Sequence, residues 1–175
     1  MRLWTIGHST RKIDHFISLL EENGIKLVVD VRSFPGSKRN PQFNKEALAD
    51  SLGQHGIRYE HFADLGGRRK AKDASRNTAW RNASFRGYAD YMETGEFQKG
   101  IDRLVDLTSE VGPAAIMCAE AVWWRCHRAL ISDHLKARGI EVVHVIGANK
   151  TEPHLFTSAA RIVGGTLSYA SDKEL

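Results

Sequence analysis

Two rhythms of apolar residues alternate along the chain. Residues 3–6, 26–31, 57–62, 114–117 and 141–146 are apolar or alternating runs of strand length. Leu27, Val28, Val29 and Val31 leave few polar positions, the pattern of a strand covered on both faces of a parallel sheet. Between these runs, small or apolar residues recur three and four apart. Ile13, Phe16, Ile17 and Leu20 mark one helix, Ala47, Leu48, Ser51 and Leu52 a second, and Phe97, Ile101, Leu104 and Val105 another. Residues 85–92 and 125–138 read as two more, the latter ended by Gly139. Ser9 or Thr10 is placed to cap the first helix and Asn44 the second. Pro35, Gly36 and Pro41 make residues 33–41 a loop. Residues 146–175 read as an irregular tail packed on the domain, with a loop at 147–153 and a short helix at 156–162. A Gly164-Gly165 turn then leads into a last strand at 167–169.

Strands that alternate with helices require crossover connections. The expected fold is therefore α/β: a single domain over residues 1–175, with an open, mainly parallel sheet of about five strands and helices on both faces. Such a sheet brings its strand-to-helix junctions to one edge, where open α/β proteins bind ligands. His8 follows the first strand, Asp30 and Arg32 close the second, and His61 and Asp64 end the third. The fourth runs into AAIMCAEAVWWRCHR (residues 114–128), which delivers Cys118, Glu120, Arg125, Cys126, His127 and Arg128. Packing does not require so many reactive groups at one strand end, so this stretch is the expected floor of an active site.

Hydrophobic residues at 42% and charged residues at 26% are the balance of a soluble globular domain. No apolar run approaches the roughly 18 residues of a membrane span, so no membrane partner is expected. Two cysteines, without a secretory pattern in residues 1–7, point to a reducing cytoplasm. The net charge of +4 is concentrated in two loops. One carries Arg32, Lys38, Arg39 and Lys45 with no acid; the other, residues 66–86, carries Arg68, Arg69, Lys70, Lys72, Arg76, Arg81 and Arg86 against Asp73 alone. That distribution suits a phosphate-bearing substrate, DNA and RNA included.

Three readings of the chemistry follow. In the leading one, Glu120 and Asp30 share acid–base work with His8, as cleavage of a glycosidic bond on a nucleotide or nucleic acid requires. Arg32, Ser37, Arg125 and Arg128 would hold phosphate, Tyr88 and Tyr91 would line the pocket, and Arg68, Arg69, Lys70 and Lys72 would contact nucleic acid. In the second, Cys126 is the nucleophile or sulfur carrier of a transferase, activated by a helix N-terminus and flanking basic residues, with His127 as its base. Cys118 reads as core. In the third, the pocket binds nucleic acid or regulates without turnover. A phosphatase-type loop is disfavoured by Trp123 and Trp124 between Cys118 and Arg125. No metal is expected, because no cysteine pair has ligand spacing, and no cofactor is implied.

The motifs TIGHS (5–9), DVRSFPGS (30–37), YEHFADLGG (59–67), YADYM (88–92) and MCAEAVWWRCHR (117–128), with the ARIVGGTLSY tail (160–169), resemble those of the domain of unknown function 488 family. The resemblance extends over nearly the whole chain. It implies a compact α/β domain and brings no activity with it.

Overall fold

A computed structural model of the protein describes residues 1–171. Five parallel strands form its centre: β1 (Arg2–Gly7), β2 (Leu27–Asp30), β3 (Arg58–His61), β4 (Ala114–Cys118) and β5 (Glu141–Gly147). With β6 (Lys150–Pro153), antiparallel to β5, the order is β3-β2-β4-β1-β5-β6. Every residue of β2 and β4 is buried, which explains why both are nearly continuous apolar runs.

The alternation of side chains sorts the core into two layers. Ile6, Val28, Ala115 and Met117 pack against α1 (Ile13–Glu22) and α2 (Lys45–Gly53). On the other face, Leu3, Val29, Ile116 and Cys118 pack against α3 (Ala83–Met92), α4 (Gly95–Val111) and α5 (Arg128–Ala137). The fold is thus a single-domain open α/β sheet with helices on both faces. Among the described residues, no helix is long and apolar enough to cross a membrane.

Several boundaries differ from the sequence reading. Lys12, not Ser9 or Thr10, precedes α1, and no side chain caps it. Asn44 precedes α2, but its Oδ1 accepts from Ser37 N at 2.7 Å and caps nothing; Ala47 is exposed. Residues 123–125 form a 3-10 turn and Cys126 is extended (φ −139°), so α5 starts only at Arg128. The tail is strand-like where a loop and a helix were expected. β6 tolerates Pro153 because it is an edge strand. Residues 156–162 are not helical. Thr157 N and Oγ1 donate to Asp133 of α5 at 3.0 and 2.6 Å, and Ala160 N closes a single turn onto the Thr157 carbonyl at 3.0 Å. β7 (Arg161–Val163) and β8 (Thr166–Ser168) then form a separate hairpin. Residues 172–175 of the expected tail lie outside the described residues.

The basic segment 66–86 is ordered by Asp90 of α3, which accepts from Lys72 N (2.8 Å), Ser75 Oγ (2.6 Å) and Asn77 Nδ2 (2.7 Å). The segment lies so close to α3 that a Cβ on Gly87 would sit 2.1 Å from the Arg69 carbonyl oxygen. Beyond the ends of β1 and β4, His8 N and Ser9 N continue the pairing to the carbonyls of Cys118 and Ala119, at 2.9 and 3.0 Å. These bonds hold the loops after β1 and β4 side by side.

Candidate active site

Over the carboxyl ends of β1, β2 and β4 lies a cavity of about 600 Å³. Cys118 and Cys126 lie in it, with His8, Arg32, Ser37 and Arg68 among the lining and Glu120 at its edge. Ser9 (φ 51°) and Arg68 (φ 59°), both in the lining, adopt the left-handed conformation that non-glycine residues rarely take. Backbone strain of this kind gathers at functional sites. A larger cavity, about 820 Å³, lies between α3, the C-terminal end of α5 and the β7–β8 hairpin. Neither cysteine is near it.

The sulfur of Cys126 has three donors around it. Arg128 approaches with its backbone N (3.4 Å) and Nε (3.2 Å), and the Cys118 sulfur lies 3.0 Å away. Burial alone would raise the Cys126 thiol pKa. The hydrogen bond from Cys118 and the Arg128 charge outweigh it and bring the group down to about 6. Cys118 moves the opposite way, pushed well up by burial and by the charge on its neighbour. The pair is therefore a Cys118 thiol donating to a Cys126 thiolate, beside a guanidinium that is 1% exposed.

Arg128 is itself held by a buried chain of hydrogen bonds. Its Nη2 donates to the Glu120 carbonyl (2.6 Å) and its Nη1 to Thr5 Oγ1 (3.3 Å). A Cβ on Gly7 would sit 1.7 Å from that carbonyl oxygen, so glycine is required there. At the far end of the chain, Asp133 accepts from Thr157, from Tyr169 Oη (2.8 Å) and from His154 Nε2 (2.8 Å). His154 Nδ1 lies 2.8 Å from His144 Nε2, and His144 Nδ1 lies 2.6 Å from Thr5 Oγ1, the oxygen that also accepts from Arg128 Nη1. Burial, with His154 and Arg128 nearby, pushes the His144 pKa down to about 2, so it stays neutral. The series joins Arg128 to Asp133, and Trp123 stacks flat on His144 at 4.3 Å.

The other residues expected at the site divide into those at the cavity and those holding the fold. Asp30 was expected as an acid or base but is fully buried and saturated. It accepts from Arg32 N, Nε and Nη2 (3.0, 2.9 and 2.7 Å) and from Tyr59 Oη (2.5 Å). Arg32 is correspondingly committed, with Nη2 also reaching the Phe43 carbonyl (2.7 Å) and Nη1 facing His8 Nε2 (3.3 Å). His8 donates from Nδ1 to the Ser9 carbonyl (2.7 Å), stacks on Phe43, and is kept neutral by burial. His127 was expected as the base for Cys126. It instead donates from Nε2 to the Val31 carbonyl (2.8 Å), and burial pushes it down to about 4.

Tyr88 and Tyr91 were expected in the pocket and lie in the core. Their hydroxyls donate to the carbonyls of Leu65 (2.8 Å) and Asp64 (2.6 Å), so their large apolar rings are buried while the polar ends are satisfied. Arg69 packs over Tyr91 at 3.7 Å and braces the same turn through the carbonyls of Gly66 and Ala63. Arg125 is exposed on the 3-10 turn. Ser37 lines the cavity, with its Oγ accepting from the backbone of Arg39 and Asn40. Arg68, Lys70 and Lys72 are exposed, and so is Glu120.

Sequence reasoning missed Cys118 as a partner of Cys126, and missed Thr5, Asp133, His144 and His154. One signal was present: a histidine set within the apolar run Val142 to Ile146. Among the described residues, no three His, Cys, Asp or Glu side chains gather as a metal ion would need.

No curated protein and no solved structure matches the chain. A family model does match, over residues 12–135, a span that includes Asp30, Arg32 and the whole segment from Cys118 to Arg128. The chain belongs to the family described as domain of unknown function DUF488.

Proposed function

We propose that the protein is a group-transfer enzyme that uses the Cys126 thiolate on a phosphate-bearing substrate of the nucleotide class. The observation that carries this reading is the Cys126 sulfur in the cavity wall, with Arg128 and Cys118 both directed at it. A thiol that only packs in the core needs no guanidinium; a nucleophile that must be ionised near neutral pH does. The exposed Arg68 puts positive charge in the cavity lining for an anionic substrate, whereas the charge of Arg32 is matched by Asp30. Glu120 is the free carboxylate at the cavity edge and would carry the proton for the leaving or attacking group. Hydrolysis by paired carboxylates is less well supported, because Asp30 has no lone pair to spare for a substrate.

The test is intact mass spectrometry after incubation with nucleotides and with short DNA and RNA. A covalent adduct on Cys126, absent from Cys126→Ser, is expected; Glu120→Gln should bind substrate normally and turn over at least about a hundredfold more slowly. Turnover by Cys126→Ser at the normal rate would eliminate the thiol mechanism. A second reading, a nucleic-acid-binding module without turnover, is favoured by the exposed Arg68, Lys70 and Lys72 on the segment leaving the cavity. It expects binding that weakens steeply with salt and yields neither adduct nor product.

A further inference from the structure

We propose that Cys118 and Cys126 form a redox pair: a hydroperoxide oxidises Cys126, and Cys118 resolves the product into a reversible disulfide. The proposal rests on the Cys126 thiolate of the proposed function, but not on the identity of its substrate. Three observations carry it. The two sulfurs are 3.0 Å apart, closer than the roughly 3.5–4.0 Å of ordinary apolar packing and about 1 Å from the roughly 2.05 Å of a disulfide bond. Both cysteines are free and both line the cavity, so a molecule as small as hydrogen peroxide can reach them. Cys118 ends β4, Cys126 is in extended conformation, and the residues between them form only a 3-10 turn, so the sulfurs can close without breaking a helix or strand.

The steps balance. The Cys126 thiolate donates an electron pair to one peroxide oxygen and the O–O bond breaks. The sulfur keeps that oxygen as a sulfenic acid, and the departing hydroxide takes up from solvent the equivalent of the proton that Cys126 released on ionising, which makes the first water. Cys118, already pointed at the Cys126 sulfur, then attacks it. The S–O bond breaks, the Cys118 proton leaves with the hydroxyl as water, and the S–S bond forms. Two thiols are oxidised by two electrons and one peroxide is reduced to two waters. Arg128 loses its thiolate partner in the product, and the enzyme loses its nucleophile until a thiol reductant restores it.

The experiment exposes the reduced full-length protein to stoichiometric hydrogen peroxide near neutral pH, followed by intact mass and non-reducing peptide mapping. Loss of two hydrogens, a linked Cys118–Cys126 peptide and full reversal by dithiothreitol are expected. The oxidation should slow roughly tenfold between pH 7 and pH 5 as the thiolate is protonated. Cys118→Ser should stop at a sulfenic acid on Cys126 that dimedone traps, and Cys126→Ser should leave Cys118 unoxidised. Oxygen accumulating on wild-type Cys126 with no disulfide, while its alkylation profile keeps a midpoint near pH 6, would overturn this proposal alone. An alkylation midpoint near pH 9 in the wild-type protein would overturn the thiolate reading as well. The wild-type measurements decide the matter even where a variant folds poorly.

Discussion

Replacing Arg128 with methionine tests the origin of the Cys126 thiolate most directly. The substitution keeps an unbranched stem in a buried site and removes the guanidinium. In the wild-type protein a thiol at about 6, against an ordinary value near 9, is roughly nine-tenths ionised at pH 7. Without the guanidinium, burial still raises the thiol, while the Cys118 hydrogen bond and the backbone N of residue 128 still lower it, so the midpoint should rise above about 6 and a smaller fraction should be ionised at pH 7. Alkylation rate at a single pH is a poor readout of this change. A more basic thiolate is intrinsically more nucleophilic, with a Brønsted slope of about 0.4–0.5, and that gain returns part of the lost rate. The midpoint of the alkylation profile against pH, or the ultraviolet absorbance of the thiolate, is free of the compensation.

The same variant has a folding cost. Thr5 Oγ1, the Glu120 carbonyl and the Cys126 sulfur all lose a charged donor inside the protein, which is worth about 3–5 kcal/mol together. That is a large share of the roughly 5–15 kcal/mol of a typical domain, so measurements belong at low temperature, with Arg128→Lys alongside. Lysine keeps the charge and loses the fork, and should give a midpoint between the two. A midpoint near 6 in Arg128→Met would refute the argument, since the ionisation would then have another cause. A wild-type midpoint near 9 would refute it more completely.

Linkage gives the thiolate a second signature. A depressed thiol stabilises the fold fully above its unfolded value near 9, and loses that contribution as pH falls through about 6. Relative to Cys126→Ser, the wild-type protein should therefore gain about 3 kcal/mol between pH 6 and pH 9 in urea titrations, with only about 1 kcal/mol of that gain reached by pH 7. Thr5→Val, close to isosteric, should cost about 2–4 kcal/mol by the same assay and raise the Cys126 midpoint, because Arg128 Nη1 and His144 Nδ1 both lose their partner. Unchanged stability would mean that the chain to Asp133 has no energetic role. Asp90→Ala should release segment 66–86, seen as new tryptic cleavage at Arg68 to Arg76 with the rest of the protein intact.

The parts of this architecture that were legible in the sequence are those whose physics is local. β2 and β4 had to be apolar because they are buried on both faces, and α4 shows its helical stripe because only one face meets the sheet. β6 and β7 were not legible, since edge strands that face water show no alternation; Arg161, Ile162 and Val163 are all exposed, whereas Gly164 and Gly165 did mark the turn into β8. Cys126, His127 and Arg128 attracted notice because three reactive types adjoin, yet their neighbours in sequence misled about roles. His127 looked like the base for Cys126, but it lies where its proton meets the Val31 carbonyl instead.

The residues behind the site were invisible for a different reason. Thr5, Asp133, His144 and His154 belong to a strand, a helix, another strand and the tail, and each alone is an ordinary buried polar side chain. Only the fold turns them into a series. It runs from Arg128 through Thr5, His144 and His154 to Asp133, with steps of 3.3, 2.6, 2.8 and 2.8 Å, so each buried polar group in it has a partner. Leaving one of these groups unpaired in the core would cost several kcal/mol, and removing any member therefore disturbs the one beside it. Arg128 is the member that reaches the site, since its Nε donates to the Cys126 sulfur. The Cys126 thiolate is the anion that Arg128 supports directly, and it faces the cavity.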